Sequence, residues 1–196
     1  PHSPGLLVEL RGVSDAWLRV RFRRERAFVV GSFTAVRVEA MAAATLRDGN
    51  GRLLAFVTAV SGLPPEIAAI DLMRRDPAAP GGAMDFLLWR VMETARASGR
   101  RQVSLGMVPL VGGLVDPAAT GMERVLGAAV RRLNPFFSVR GLWRFKEKFQ
   151  PTWEPRYLTY RNGTPGLVRA LVALALVMHT GVERDRALGA RRAGPD

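Results

Sequence analysis

EIAAIDLMRRDPAAPGGAMDFLLWRVMETARASGRRQVSLGMV, residues 66–108, holds the organisation of this chain. Glu66 to Met73 is an extended run entered through Pro64 and Pro65. After a Pro- and Gly-rich turn, Met84, Leu87, Leu88, Val91, Met92 and Ala95 recur at the spacing of one buried helical face, predicting a helix over 84–98. Gly99 ends it, with Arg96, Arg100 and Arg101 near its negative pole. QVSLGMV, residues 102–108, then reads as a strand.

Working outward, Ala40–Arg47 and Arg52–Val60 flank DGNG, a hairpin turn signal. With Glu66–Met73 they form three consecutive antiparallel strands. Towards the N-terminus, Ser14 is expected to cap a helix over Ala16–Phe22, closed by RFRRER, and AFVVGSF at 27–33 to be a short strand. Towards the C-terminus, Thr120 and Glu123 form a capping box for a helix through Leu133. A helix over Leu142–Phe149, a strand over Tyr157–Tyr160 and a helix over Gly166–Thr180 follow. The fold class is α/β (α+β), a mixed sheet with packed helices. The domain is expected to run over 1–182, with 183–196 a disordered tail.

Composition narrows the chemistry. At 196 residues, 48% of them apolar, the chain can bury one real core. Its net charge of +12 draws phosphate, whether in RNA or in an anionic bilayer. The absence of cysteine excludes disulfides, thiolate metal sites and a cysteine nucleophile, and fits a reducing compartment. With only His2 and His179 as imidazoles, each near an end, a histidine-based triad or metal site is disfavoured. Chemistry falls to carboxylates, Lys, Arg, Tyr or the backbone; no metal is expected. The first residues, PHSPGLLVEL, lack a signal peptide's pattern and read as a cut within a longer protein. The most apolar run, Ala170–Met178, is half of what spans a bilayer, so the chain is expected to be soluble or to lie on a membrane surface.

Two stretches carry the site. In the first, Gly81 and Gly82 precede the central helix, where free N–H groups and the helix dipole favour an anion, and Arg74 and Arg75 leave the strand beside them. This turn resembles the pyrophosphate-binding turn of the GCN5-related N-acetyltransferase fold, although five residues, two of them Pro, separate Arg75 from Gly81. Asp71 points either into a site or outward from an alternating strand. The second stretch is RGLWRFKEKFQPTWEPRYLTY, residues 140–160, which laces cations through aromatic residues. Lys146 and Lys148 read either as phosphate ligands or as one solvated helix face. Trp143, Phe145 and Phe149 read as core before stacking platforms. Glu154 and Arg156 flank Pro155 as ligands or as a structural pair.

Together DLMRRDPAAPGGAMDFL, SLGMVPL and RGLWRFKEKFQPTWEPRYLTY resemble the C-terminal catalytic region of the bacterial phosphatidylglycerol lysyltransferases, the aminoacyl-phosphatidylglycerol synthase or multiple peptide resistance factor family. The resemblance runs from about VSDAWL at 13 to near 180. It implies an acetyltransferase-like domain, the second of a tandem pair, behind an integral-membrane domain. It implies transfer of a lysyl or alanyl group from aminoacyl-tRNA to the glycerol headgroup of phosphatidylglycerol, at the cytoplasmic face of the bacterial inner membrane. Such transfer alters membrane charge and resistance to cationic peptides. No cofactor is implied, and in particular no acetyl-CoA.

By the same resemblance, Asp71 and Arg74 match the DLMR step of the active site and are the expected catalytic residues. Arg75, Gly81, Gly82, Lys146, Lys148, Glu154 and Arg156 are the expected substrate-binding residues. One departure stands out: where the family commonly carries a Glu among histidines, this chain has RRLNPFFSVRGL, with Asn134 in place of the carboxylate. Asp71→Asn and Arg74→Ala are both expected to reduce transfer far more than stability. A small-molecule N-acetyltransferase using acetyl-CoA and a non-catalytic lobe binding RNA or anionic membrane are the alternatives.

Overall fold

The structure is a computed structural model that describes residues 2–20, 33–60, 66–108, 121, 139–157, 159–161, 163, 165–173 and 176. The chain divides into two compact units, residues 1–106 with 175–196, and residues 107–174.

In the first unit, α1 (Pro4–Arg19) and α2 (Ala35–Glu39) precede the sheet strands β1 (Ala42–Arg47), β2 (Leu53–Val60) and β3 (Ile67–Arg75). Then come α3 (Ala83–Ala97) and β4 (Gln102–Ser104). The sheet order is β1-β2-β3-β4, antiparallel up to β3, with β4 parallel to β3. The DGNG hairpin, the third strand and the central helix form where the sequence placed them, while the strand expected over 102–108 is confined to Gln102–Ser104. The N-terminal helix is longer than expected. Its cap is Ser3, whose hydroxyl accepts from the Leu6 amide at 3.3 Å, followed by Pro4 at the first helical position. Ser14, the expected cap, lies buried inside that helix. The strand expected at 27–33 and the helix expected after Thr120 fall outside the described residues, apart from Phe33 and Gly121, as does the tail.

Leu10 and Val13 of α1, Phe33, Val38 of α2, and Leu53, Phe56 and Leu72 of the sheet make one buried cluster. Ala55 and Val57 belong to the opposite sheet face and are also buried. The helix that reaches β1, β2 and β3 from that side is α3, through its buried stripe of Ala83, Met84, Leu87, Leu88 and Ala95.

The register of β3 against β2 breaks at one point. Met73 pairs with Val57 and Ile70 with Ala59, so Asp71 and Leu72 together oppose the single residue Thr58. This is a β-bulge, and it takes the Leu72 amide out of the ladder. The Thr58 hydroxyl accepts that amide at 3.1 Å, with both residues fully buried. A threonine inside the apolar run LLAFVTAV is thereby explained. Thr58→Val keeps the shape but orphans the amide, and is expected to cost about 1–3 kcal/mol in denaturant unfolding.

In the second unit, α4 (Val139–Glu147) matches the helix expected near 142–149. Phe149 and Gln150 close it by hydrogen bonds to the Lys146 and Glu147 carbonyls. Residues 165–173 are helical, as expected. Tyr157, Thr159 and Tyr160 have no strand pairing, so the strand expected there is not formed. Pro151 and Pro155 bracket the approach and remove ladder donors. No helix among the described residues is long and apolar enough to cross a membrane.

Candidate active site

Residues 71 and 74 would point to opposite faces of a regular strand. The bulge changes that. Phe56 pairs with Arg74 and Thr58 faces Asp71, so both side chains leave β3 on the face covered by α1 and α2. Asp71 Oδ1 accepts from Arg37 Nη2 of α2 at 2.9 Å, with the Asp71 side chain 11% exposed and that of Arg37 33%. Asp71 Oδ2 and Arg37 Nε are buried and have no hydrogen-bond partner among the described residues. Arg74 is 1% exposed, and its guanidinium lies 3.9 Å from the ring centroid of Trp17 on α1. A desolvated contact of that kind is worth about 2 kcal/mol. The two expected catalytic residues therefore share one face, each held by a side chain that no sequence signal marked. Trp17 stood only within VSDAWL, and Arg37 within a stretch with no motif.

The turn after β3 is tightly folded on itself. The Asp76 carboxylate accepts the Ala78 amide at 2.8 Å and Arg52 Nη2 at 2.7 Å. The Ala78 amide first, and Arg52 after it, hold the Asp76 carboxyl below its usual range against the opposing effect of burial. Arg75 reaches forward to the Ala79 carbonyl at 3.4 Å. Gly82 adopts φ +84, a left-handed conformation open to glycine, and starts α3 without a side-chain cap. Asp85 in the first turn of α3 already places negative charge at the helix pole, which weakens its pull on an incoming anion. Arg75, Gly81 and Gly82 thus lie at one turn, as expected, with Arg75 engaged by the backbone there.

The second unit separates the two lysines. Lys146 lies in the last turn of α4 and Lys148 just beyond its end, so the two do not share one solvated helix face. Lys146 turns inward, 3% exposed, and donates to the Met107 carbonyl at 3.3 Å. Lys148 is exposed, its ammonium 5.6 Å from the Phe145 ring centroid. Glu147 accepts Trp153 Nε1 at 2.8 Å, which fastens the segment after α4 back onto it. Glu154 and Arg156 pair at 2.9 Å and are exposed. Trp143, Phe145 and Phe149 are half-buried, with Phe145 and Phe149 edge to face at 5.7 Å. Asn134 and His179 fall outside the described residues. His2 is spent structurally, its Nε2 bonding the Met41 carbonyl at 2.8 Å.

Residues 1–160 match the family model described as phosphatidylglycerol lysyltransferase, C-terminal. The chain belongs to this family. It is 32% identical over 164 residues to the phosphatidylglycerol lysyltransferase of Bacillus subtilis, covering 83% of this chain and 19% of that protein. It is 30% identical over 181 residues to that of Staphylococcus haemolyticus, covering 91% and 21%. Among solved structures it is similar to L-PGS from Bacillus licheniformis (TM-score 0.73, 30% identity, 90% of this chain, 53% of that one). It is also similar to the C-terminal domain of a putative lysylphosphatidylglycerol synthetase from Agrobacterium fabrum (TM-score 0.70, 33% identity, 89% and 51%). The chain spans about a fifth of the curated relatives' length and about half of the solved chains.

Among the described residues of this lysyltransferase-family domain, Lys146 is the group whose titration is most displaced. Burial pushes its ammonium down from 10.5 to about 8. Between those values the unfolded chain binds the proton that the folded chain has lost, so Lys146 makes stability rise as pH climbs from about 8 to 10.5. Below pH 8 both states are charged and the burial cost is fully present. Lys146→Met is therefore expected to stabilise the chain at pH 7 by on the order of 2 kcal/mol, with the gain shrinking towards pH 10.5. Urea unfolding of both proteins at pH 7, 9 and 10.5 measures this. A constant difference would remove burial as the cause.

Proposed function

We propose that this chain is the catalytic domain of an enzyme that transfers an aminoacyl group, lysyl or alanyl, from charged tRNA to phosphatidylglycerol. Membership of the lysyltransferase family over residues 1–160 is the observation that carries this reading. The carboxylate and guanidinium gathered on one face of β3 support it. In the reaction, a glycerol hydroxyl of the lipid attacks the carbonyl carbon of the aminoacyl ester. Its proton passes to the Asp71 carboxylate, the new ester C–O bond forms, and the bond to the tRNA ribose oxygen breaks. The ribose oxygen leaves as a hydroxyl, taking up a proton. Because the ester is already activated, placing hydroxyl and carbonyl together supplies much of the acceleration. Arg74 stabilises charge beside Asp71. Lys148 and Arg156, exposed and cationic, suit the tRNA phosphates, and Arg75 with Gly81 and Gly82 suits the lipid phosphodiester. Lys146 keeps the substrate-binding role that the resemblance implies, and Glu154 orients Arg156.

In the full-length protein this domain follows an upstream acetyltransferase-like domain and an integral-membrane domain, and works at the cytoplasmic face of the inner membrane. The product carries less negative charge than its precursor, which lowers affinity for cationic peptides. Transfer of labelled amino acids from a mixed charged-tRNA pool to phosphatidylglycerol vesicles tests the reading, using this chain with and without its upstream region. Labelled lipid supports it, and the label names the amino acid. Vesicle or tRNA binding without product from the longer protein would sink it in favour of a non-catalytic lobe, with Asn134 the first suspect.

A further inference from the structure

We propose that Arg37 is a positioning residue for the transfer reaction, holding Asp71 by one carboxylate oxygen so that the other receives the proton of the lipid hydroxyl. This rests on Asp71 being the proton acceptor. An Arg and a carboxylate that serve only each other commonly meet as a fork, with two parallel hydrogen bonds. Here the pair meets at one point, Nη2 to Oδ1 at 2.9 Å. The atoms that would complete the fork, Arg37 Nε and Asp71 Oδ2, are both buried and both without a partner among the described residues. Buried polar atoms in native proteins are nearly always satisfied, so a donor and an acceptor left over on the same pair call for a third group.

The chemistry of that group follows from what is left. An ammonium brings only donors and answers Oδ2 alone, and a phosphate brings only acceptors and answers Nε alone. A hydroxyl donates to Oδ2 and accepts from Nε–H, so it answers both. A hydroxyl of the glycerol headgroup fits this pair of atoms, and a protonated aminoacyl amine does not. Both atoms are shielded from bulk solvent, so a hydroxyl that reaches them meets little competition from water. Arg37 is itself held from two sides. The Thr34 hydroxyl caps α2 by accepting the Arg37 amide at 3.3 Å, and the adjoining Val38 is fully buried in the cluster beneath. Its guanidinium therefore starts from a fixed backbone.

The test uses the full-length protein with phosphatidylglycerol vesicles and charged tRNA, comparing Arg37→Ala, Arg37→Lys, Asp71→Asn and the Arg37→Ala/Asp71→Asn double variant. Arg37→Ala is expected to lower kcat roughly 10–100-fold, as loss of positioning does, with KM for charged tRNA within about twofold of the parent. Arg37→Lys, which keeps a charged donor, is expected to recover part of kcat. The double variant is expected to be no slower than Asp71→Asn alone, because Arg37 acts through Asp71. If Arg37→Ala fails to fold, Arg37→Gln carries the same expectations. Parent-like kcat in Arg37→Ala with an inactive Asp71→Asn would overturn the proposal and leave Asp71 as the acceptor. Full activity of Asp71→Asn would instead overturn the assignment of Asp71, and the role of Arg37 with it.

Discussion

Asp71→Asn is expected to lower aminoacyl transfer by about 10²–10⁴-fold, the range a positioned base supplies. The substitution keeps the shape of the side chain and a carbonyl oxygen for Arg37 Nη2, but the amide cannot take a proton from a hydroxyl. Stability should respond far less. The pair is partly exposed at Arg37, which can relax its charge towards water, so the cost is on the order of 1–2 kcal/mol. In a chain of this size that is a fall of roughly 2–8 °C in Tm. Steady-state transfer to vesicles, run beside thermal unfolding, gives both numbers. Comparable losses in rate and in folded fraction would make Asp71 a structural residue.

Arg74→Ala is expected to behave differently, and here the structure revises what the sequence implied. From sequence the two substitutions were equivalent, each costing activity and sparing the fold. Arg74, however, is among the largest fully buried side chains of the described residues, and its guanidinium is stacked on Trp17. Truncation removes that stacking and opens a cavity under α1, at a cost of about 2–5 kcal/mol. Activity is then lost largely through unfolding. Trp17→Ala should reproduce much of this loss, whereas Trp17→Phe, which keeps an aromatic face, should be milder. Equilibrium denaturation of the three variants separates the cases. Parent-like stability in Arg74→Ala would mean that the stacking contributes little, and would return Arg74 to a purely chemical role.

The sheet and its central helix were legible because their signals are local. A DGNG turn between apolar runs, and a buried face at helical spacing ending in Gly99, need no knowledge of the rest of the fold. The N-terminal helix was misplaced because Ser14 and Ser3 are equally plausible caps by residue type. What decides between them is the apolar face of Leu10 and Val13, which buries against the sheet. The site was half legible. Asp71, Arg74, Lys146 and their neighbours came from motif resemblance. Arg37 and Trp17 had no local mark, because their roles arise from contacts 34 and 57 positions away along the chain. Nor could composition tell Lys146 from Lys148, which are separated by where α4 ends, at Glu147.

The bulge opposite Thr58 also bears on how this domain tolerates change. A bulge is erased when the strand opposite it gains one residue. Inserting a residue between Thr58 and Ala59 would give Asp71 and Leu72 a partner each and let β3 resume regular alternation beside β2, giving a tidier ladder. In that tidier protein the carboxylate and the guanidinium would project from opposite sides of the sheet. The irregularity therefore works as a spacer, and its length is under chemical rather than architectural constraint. A screen for folding alone would accept such insertions; a screen for lipid product would reject them.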